Sequence, residues 1–475
     1  MQERKLAKNT TYFTAALTIQ KILAFAYFLF ISNNIFPNQL GQYVFALSFT
    51  TLFSIFIDLG LSPVLTRESS KETEKANLFL QNVIALKIPL AFLALSAAWL
   101  IINITGKPTE VKILVYLASL IMILDSFSLS FWVIFRARHN LKYESISTII
   151  VQIIIFTLGV FLLKTTGQIK YLMAALLVAS IFNFLFSAGL LKLKLKFSLK
   201  PKWDPEIISS FLKIIPAFAI AGILVKIYNT SDSVLLSYLV SDQAVGFFAV
   251  PAKIIYAFQQ VIPAAIAAVI FPAFSFYYAN SKELLEKTFT KAFKYLVIIS
   301  LPLTTGLIIL AKPIISTLWP EYQDTIPTFI IMSLAIPFIF LAFPTGYLLN
   351  ACDRQKNTTI NRGIITTLAI ICNLILIPRY TFFGAGITFF ITNFILLFLD
   401  FIWVRKIIAL KISSLATIII KSLISVVVMV IAITALDKYL NLFGLISVAM
   451  AVYFVALLLV RGIKISEFNL KPKVN

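Results

Sequence analysis

The sequence predicts an all-α integral membrane protein with about 14 transmembrane helices. Three observations support this: 60% of the 475 residues are hydrophobic, only 13% are charged, and the mean hydropathy is +0.95. The apolar residues form continuous stretches of about 20, which is the length a helix needs to cross the hydrocarbon. Because soluble domains carry about 25% charged residues, the composition excludes a soluble enzyme, a disulfide-rich secreted protein and a disordered chain. Continuous rather than alternating apolar runs exclude a β-barrel.

Fourteen apolar stretches follow one another along the chain. The first, after Arg4, Lys5 and Lys8, is too long for a typical signal peptide and is predicted to be a retained helix. The seventh is long enough to need tilt or a partly interfacial start. The predicted spans are 11–31, 41–65, 77–102, 112–135, 143–163, 171–190, 209–239, 244–270, 292–311, 325–349, 358–378, 382–404, 413–436 and 440–460.

The basic residues predict the orientation of these spans. If the N-terminus is cytoplasmic, the cytoplasmic segments hold 28 Lys and Arg residues and the outside loops hold 7. Since cytoplasmic loops are enriched in Lys and Arg, both termini are predicted to lie in the cytoplasm of a cell (cytoplasmic) membrane. Most of the net charge of +21 is therefore a topology signal, with some attraction to anionic lipids, and it requires no nucleic-acid partner.

A weak internal repeat divides the chain. At an offset of 205 residues, 40–46 (LGQYVFA) aligns with 245–251 (VGFFAVP), and Lys21 aligns with Lys226. A unit of six helices, an even number, gives both copies the same orientation, so they should be related by an axis along the membrane normal. Chance similarity between two apolar stretches is the alternative.

The repeat predicts the domain organisation. Residues 1–190 form an N-terminal six-helix bundle and 207–404 form a C-terminal six-helix bundle, with a central cavity between the two. A basic cytoplasmic linker, 191–206, joins them. Residues 405–475 add two transmembrane helices and a cytoplasmic tail.

Four lysines fall near the middle of predicted spans: Lys21, Lys87, Lys226 and Lys253. Each would cost roughly 2.5–3.5 kcal/mol if it faced lipid. We therefore expect all four to face a hydrated interior, where they would bind an anionic substrate.

Fewer acidic residues accompany these lysines inside the spans, namely Asp58, Asp125 and Asp232. The interior is therefore expected to carry net positive charge. The alternative is that lysines and acids form ion pairs that tie helices together. In that case Lys21 would pair with Asp58 or Asp125, and Lys226 would pair with Asp232.

Several functional patterns are missing from the sequence. His139 is the single histidine and lies in a predicted cytoplasmic loop. Neither GxxxxGK[ST] nor GxGxxG, the phosphate-binding patterns of nucleotide sites, occurs. No loop carries the acidic cluster that a metal-dependent glycosyl transfer would need. We expect no metal site, no cofactor and no enzymatic activity.

Short motifs make the chain resemble the multidrug/oligosaccharidyl-lipid/polysaccharide (MOP) exporter superfamily, specifically its polysaccharide-type flippases, which include O-antigen flippases. The resemblance covers nearly the whole chain. One departure is Phe247-Phe248, where the family often has a tyrosine after the glycine. The motifs are 8–10 (KNT), 40–46 (LGQYVFA), 58–61 (DLGL) with a following Arg67, and Asp232 ahead of 245–253 (VGFFAVPAK).

This resemblance implies a flippase that moves a polyprenyl-diphosphate-linked oligosaccharide from the cytoplasmic to the outer leaflet by alternating access. The implied partners are that lipid-linked glycan, membrane lipids and other polysaccharide-assembly proteins. The diphosphate would be attracted by Lys21, Lys87, Lys226 and Lys253.

Three other functions stay open. A drug or cation antiporter of the same superfamily would need membrane carboxylates, whereas the first helix carries Lys21 and no acid. A flippase for the lipid-linked peptidoglycan precursor would share the cationic cavity. A membrane glycan polymerase or ligase would instead transfer sugars.

Overall fold

The computed structural model describes residues 2–410 and 412–463. The predicted tail beyond 463, Lys411, and the side chains of residues 2–11, including that of Lys8, lie outside the described part. The described residues form sixteen α-helices and a short 3₁₀ helix, Pro320–Thr325. The α-helices are α1 Gln2–Asn34, α2 Pro37–Asp58, α3 Leu61–Lys71, α4 Ala76–Ile104, α5 Thr109–Ala137, α6 Lys142–Thr166, α7 Lys170–Leu195, α8 Pro205–Leu239, α9 Asp242–Asn280, α10 Lys282–Ile309, α11 Ala311–Leu318, α12 Ile326–Ser333, α13 Ile336–Ala351, α14 Gln355–Val404, α15 Ile412–Leu436 and α16 Leu442–Leu459.

The prediction of an all-α, multi-pass membrane protein is confirmed. Within the described residues, 12 helices are long and apolar enough to cross a membrane, or 13 if the pair Pro320–Ser333 and Ile336–Ala351, bent by 41°, counts as one span. The count of 14 is not confirmed. Two of the predicted spans, 358–378 and 382–404, fall in the 50-residue α14, which leaves helical geometry at Thr381 (φ 54, ψ −135).

The second predicted span, 41–65, was wrong as a single helix. Helix α2 ends at Asp58, and the next two residues, Leu59 (φ 39) and Gly60 (φ 82), both adopt left-handed backbone conformations before α3 begins. Glycine accepts this conformation without a steric penalty. A Cβ on Gly60 would also lie 2.9 Å from the backbone nitrogen of Ala219 on α8. The break therefore both ends α2 and admits the close approach of α8.

The chain forms two compact units, Met1–Ala249 and Val250–Asn475. In the first unit, α5 packs against α2, α3, α4 and α7, α6 packs between α1 and α7, and α8 packs on α2 and α3. In the second unit, α10 packs against α12, α13 and α15, α14 packs on α12 and α13, and α15 pairs with α16. The two units are defined by how densely their residues contact one another. This division does not test the predicted bundles 1–190 and 207–404, which stay a prediction.

A hydrophobic core in the first unit holds the break after α2 in place. It joins α3, through Leu61 and Leu65, to α4, α5 and α8, and the rings of Phe79 and Phe211 lie 5.7 Å apart within it. Fully burying a side chain of this size contributes about 1.5–3 kcal/mol. The end of α2, which carries Asp58, is therefore set against a packed layer.

The two repeated segments found in the sequence meet in the first unit, at the start of α2 and the start of α9. A Cβ on Gly41 would lie 1.6 Å from the carbonyl oxygen of Asp242, and a Cβ on Gly246 would lie 1.9 Å from the carbonyl oxygen of Pro37. Small residues let helix backbones approach this closely inside a membrane. Both glycines are therefore needed for the contact.

We predict that Gly41→Ala destabilises the protein by about 1–3 kcal/mol, because the added methyl group overlaps the backbone of Asp242 and must push the two segments apart. Thermal unfolding of the purified protein in detergent measures the effect. Gly222→Ala is the matched control. A Cβ at this helical position meets nothing within 4 Å, so the change should keep or raise stability. Equal unfolding temperatures for the two variants would contradict the close contact.

Candidate functional site

A polar cavity of about 260 Å³ lies inside the first unit, among α2, α5 and α8. Its charged lining comes from all three helices: Asp58 from α2, Asp125 from α5 and Lys226 from α8. The rest of the lining is Leu47, Thr50, Thr51, Ser54, Ala118, Ile121, Met122, Ser126 and Leu129.

The sequence of α2 explains why one of its faces is polar. Thr50 and Thr51 precede Ser54 by four and three residues, and Asp58 follows it by four; residues three or four apart lie on one side of a helix. The threonine and serine hydroxyls donate to carbonyl groups one turn earlier, as Thr51 does to Leu47 at 2.7 Å. The second half of α2 thus presents a polar stripe, and that stripe faces the cavity.

The best-defined contact beside the cavity is the ion pair between Lys87 and Asp58. The Lys87 ammonium lies 2.8 Å from Asp58 Oδ1, and the Lys87 side chain is 0% exposed. It also donates to the carbonyl oxygen of Ser126 at 2.9 Å, to the Ser126 hydroxyl at 3.1 Å and to the Ser62 hydroxyl at 3.5 Å. The Ser62 hydroxyl donates in turn to Asp58 Oδ1. The pair ties α4 to the end of α2, to α3 and to α5.

The expectation that Lys87 faces a hydrated interior is not met, because its ammonium is enclosed and bonded entirely within the protein. The alternative of a helix-tying ion pair describes Lys87 better. Its partner, Asp58, is one of the two acids, with Asp125, that were predicted as alternative partners of Lys21. Removing one partner of a buried pair leaves an uncompensated charge and costs about 3–5 kcal/mol.

Lys226 and Asp125 are the more accessible charges. The half-buried Lys226 donates to the Ser54 hydroxyl at 2.9 Å, one helical turn from Asp58. Asp125 is exposed to the cavity and accepts a hydrogen bond from the Ser180 hydroxyl of α7. Lys87 lies behind the residues that line the cavity. When it is counted, two lysines, Lys87 and Lys226, accompany two aspartates, Asp58 and Asp125. The charges around this cavity therefore balance only when the enclosed Lys87 is counted, and the net positive charge expected of the central interior stays a prediction.

The remaining predicted site residues are placed elsewhere. Lys21 is half-buried on α1, Asp232 is buried on α8 at 7% exposure, and Lys253 is half-buried on α9 within the second unit. None of the three belongs to the described lining of the 260 Å³ cavity. The structure thus brings Asp58, Asp125 and Lys226 together around it.

Two groups of buried or cavity-lining polar residues were not predicted from the sequence. The hydroxyls of Ser54, Ser62 and Ser126 complete the charged site, but serines are too common in membrane helices to be singled out. Asp400 was also missed. It is 0% exposed in α14 and accepts from the Asn361 amide at 2.7 Å, so it joins the two helical segments that lie on either side of the break at Thr381.

A second ion pair lies at the opposite end of α2. The Lys107 ammonium, in the α4–α5 loop, lies 2.8 Å from Asp242 Oδ1 and donates to the carbonyl oxygen of Ser237 at 2.8 Å. It also lies 4.8 Å from the centroid of the Phe45 ring. Lys107 and Asp242 are only 10% and 9% exposed. Lys107 is one of the seven basic residues of the predicted outside loops, and in the structure it joins the α4–α5 loop to the start of α9.

Within the described residues, no group of three or more His, Cys, Asp or Glu side chains is arranged to hold a metal ion. The cysteines Cys352 and Cys372 are free thiols. Burial, with a smaller contribution from Asp353, raises the pKa of Cys352 to about 11, so that thiol stays protonated at neutral pH.

Comparison with known proteins identifies the family. Residues 6–278 match the polysaccharide biosynthesis protein family. The chain belongs to this family. Among curated proteins, the capsular polysaccharide biosynthesis protein CapF of Staphylococcus aureus is 21% identical over 410 residues, covering 85% of this chain and all of the relative.

Solved structures extend the likeness beyond residue 278. The lipid II flippase MurJ in an inward closed conformation has a TM-score of 0.77 and 18% identity, covering 94% of this family member and 97% of that chain. An inward-facing multidrug resistance transporter of the MATE family, in the MOP superfamily, has a TM-score of 0.66 and 15% identity, covering 84% and 95%. The predicted resemblance to the MOP superfamily is thus confirmed in the fold, and these relatives are transporters or flippases rather than enzymes.

We predict that Lys87→Met lowers stability by about 3–5 kcal/mol, because Asp58 is left without its partner in a low-dielectric site. Thermal unfolding in detergent measures this loss. The double variant Lys87→Met/Asp58→Asn should recover part of it, since no isolated charge remains.

Lys226→Met is the control, because it removes a lysine that is only half-buried and should cost less than Lys87→Met. A double variant as unstable as the sum of the two single variants would show that the two side chains do not act as a pair.

Proposed function

We propose that this member of the polysaccharide biosynthesis family is a flippase, which moves a polyprenyl-diphosphate-linked oligosaccharide across the cytoplasmic membrane for surface-glycan assembly. The observation that carries the proposal is the cavity lined by Asp58, Asp125 and Lys226 among apolar membrane helices of the first unit. Charged groups at such positions are expensive and mark substrate pathways. The family, the CapF relative and the MurJ-like fold support the same substrate class.

The lysines receive different roles in this proposal. Lys226, Lys21 and Lys253 attract the diphosphate, because an ammonium in a low-dielectric site forms strong hydrogen bonds with phosphate oxygens. Lys87 acts through Asp58: its ion pair holds the carboxylate at the edge of the cavity. Asp125 and Asp58 offer acceptors to the sugar hydroxyls, or bind a coupling cation.

The orientation in this proposal is the one that the basic loops predict, with both termini in the cytoplasm. Asp58 then lies toward the cytoplasmic end of α2, while Gly41 and the Lys107–Asp242 pair close its outer end. The cavity would receive substrate from the cytoplasmic leaflet. Rocking of 1–190 against 207–404 would release it outside, which requires the Lys107–Asp242 pair to separate. Other polysaccharide-assembly proteins would supply and consume the substrate.

Two alternatives from the same superfamily predict different outcomes. For a drug or cation antiporter, efflux should survive Lys21→Ala and fail when Asp58 or Asp232 is replaced. A flippase for the lipid-linked peptidoglycan precursor should be essential for growth, whereas a capsule or O-antigen flippase should not be.

We predict that Lys226→Gln lowers surface glycan by about tenfold, and that Lys226→Gln/Lys21→Gln lowers it further, because each change removes a charge-assisted hydrogen bond to the diphosphate. Lys226→Arg keeps the charge and should retain most activity. Surface polysaccharide is measured in cells that carry each variant as their only copy.

Lys75→Gln is the matched control, since Lys75 is exposed and pairs with Glu72 on the protein surface. Immunoblots of the membrane fraction confirm that each variant is inserted. Normal glycan in the inserted double variant would refute the proposed role of the two lysines.

A further inference from the structure

The second unit carries a groove that the proposed transport cycle does not use. It has a volume of about 520 Å³ and lies between α13 and the last three turns of α14. Its lining is Phe338, Phe394, Leu397, Phe398, Phe401, Ile402, Arg405 and Lys406. Six apolar side chains are followed by two adjacent cations.

Packed aromatic rings give the groove a stable shape. Phe338 of α13 meets Phe394 of α14 edge to face, with ring centroids 5.1 Å apart and planes at 90°. At the other end of the groove, Phe401 packs edge to face on Phe293 of α10 at 5.9 Å. Phe398 remains 62% exposed between these two contacts. The concavity is therefore built by three helices, with apolar side chains still open to the surroundings.

The cationic end coincides with the end of α14. The helix stops at Val404, and the backbone N–H of Arg405 donates to the carbonyl oxygen of Phe401. Lys406 lies with its ammonium 4.2 Å from the centroid of the Trp403 ring. Tryptophan is enriched where a membrane helix meets the headgroups. Arg405 and Lys406, both exposed, therefore lie at headgroup depth.

The length of the groove matches one leaflet. From Phe394 to Val404 the helix rises about 15 Å, which equals about half of the hydrocarbon core. A ligand that fills it would have an apolar tail about one leaflet long and an anionic head at Arg405 and Lys406. A polyprenyl chain that extends beyond one leaflet fits this description poorly.

We propose that this groove binds one anionic phospholipid, with an acyl chain along Phe394–Ile402 and its phosphate between Arg405 and Lys406. With a cytoplasmic N-terminus, the twelfth predicted span, 382–404, ends on the cytoplasmic side, so the lipid belongs to the cytoplasmic leaflet. A flat apolar surface does not distinguish among phospholipids. Two adjacent cations do distinguish among them, because each contributes about 1 kcal/mol to the binding of an anionic headgroup. The affinity for an anionic phospholipid should therefore exceed that for a zwitterionic one by about 30-fold.

Photocrosslinking of the full-length protein in detergent tests this proposal. Phosphatidylglycerol and phosphatidylcholine carry the same photoactivatable acyl chain, and mass spectrometry maps the labelled peptides. We expect phosphatidylglycerol to label 394–406 at much lower concentrations than phosphatidylcholine does. Equal labelling by the two lipids, or labelling spread evenly over the helices, would overturn the proposal without requiring any variant.

Two variants distinguish the contribution of the cationic end of the groove from that of its apolar surface. Arg405→Gln/Lys406→Gln should weaken labelling by phosphatidylglycerol about 30-fold, and Leu397→Trp should block the chain while leaving both cations. Lys192→Gln/Lys194→Gln is the matched control, since it removes two exposed charges at the end of α7, on the same predicted side of the membrane. Unchanged labelling in the Arg405/Lys406 variant would refute the headgroup site.

Competition identifies the occupant. Unlabelled phosphatidylglycerol should displace the probe, while free glycerol phosphate, which lacks a tail, should not. If polyprenyl phosphate displaced the probe better than phosphatidylglycerol does, the groove would be assigned to the polyprenyl chain and the phospholipid proposal would be wrong. This test is independent of flippase activity, so its failure leaves the proposed function standing.

Discussion

A charge inside a membrane protein must be paired or hydrated, and the Lys87–Asp58 ion pair meets that constraint for the first unit. The ammonium is fully enclosed and bonded to Asp58 and Ser126. The pair fastens the end of α2 to α4 and α5. With α2 fixed there, Ser54 lies one turn earlier and meets Lys226. The accessible charges of the cavity are therefore positioned by a pair in which Asp58 lines the cavity and Lys87 is enclosed behind it.

Helix α2 is held at both ends by different physical means. At its start, the contact between Gly41 and Gly246 depends on the absence of side chains, and the Lys107–Asp242 pair lies beside it. About 26 Å further along the helix, the buried pair at Asp58 closes the other end. The proposed alternating access would have to separate the first contact and could retain the second. The contact at the end of α2 is the one expected to persist, because Asp58 lies beside a hydrophobic core.

Some details were predictable and others were not. The motif at 58–61 (DLGL) contributed to the family resemblance, yet hydropathy carried a single span through it to residue 65. An average over apolar side chains does not detect two left-handed residues, Leu59 and Gly60. Lys87 lies within helix α4, inside its predicted span, but the expectation that it faces a hydrated interior was wrong, since its side chain is 0% exposed. Depth follows from position along a helix, whereas hydration depends on which face the neighbouring helices cover.

The sequence by itself determined the class of protein, its run of apolar helices and its resemblance to polysaccharide-type flippases. These depend on local composition and on the order of short motifs, which are readable without contacts. Only the tertiary structure decided the partners: Lys87 with Asp58, Lys107 with Asp242 at a separation of 135 residues, and the aromatic groove that ends at Arg405. In each case the residue types could be read from the sequence, but their pairing arises from helix packing between residues that are distant in the chain.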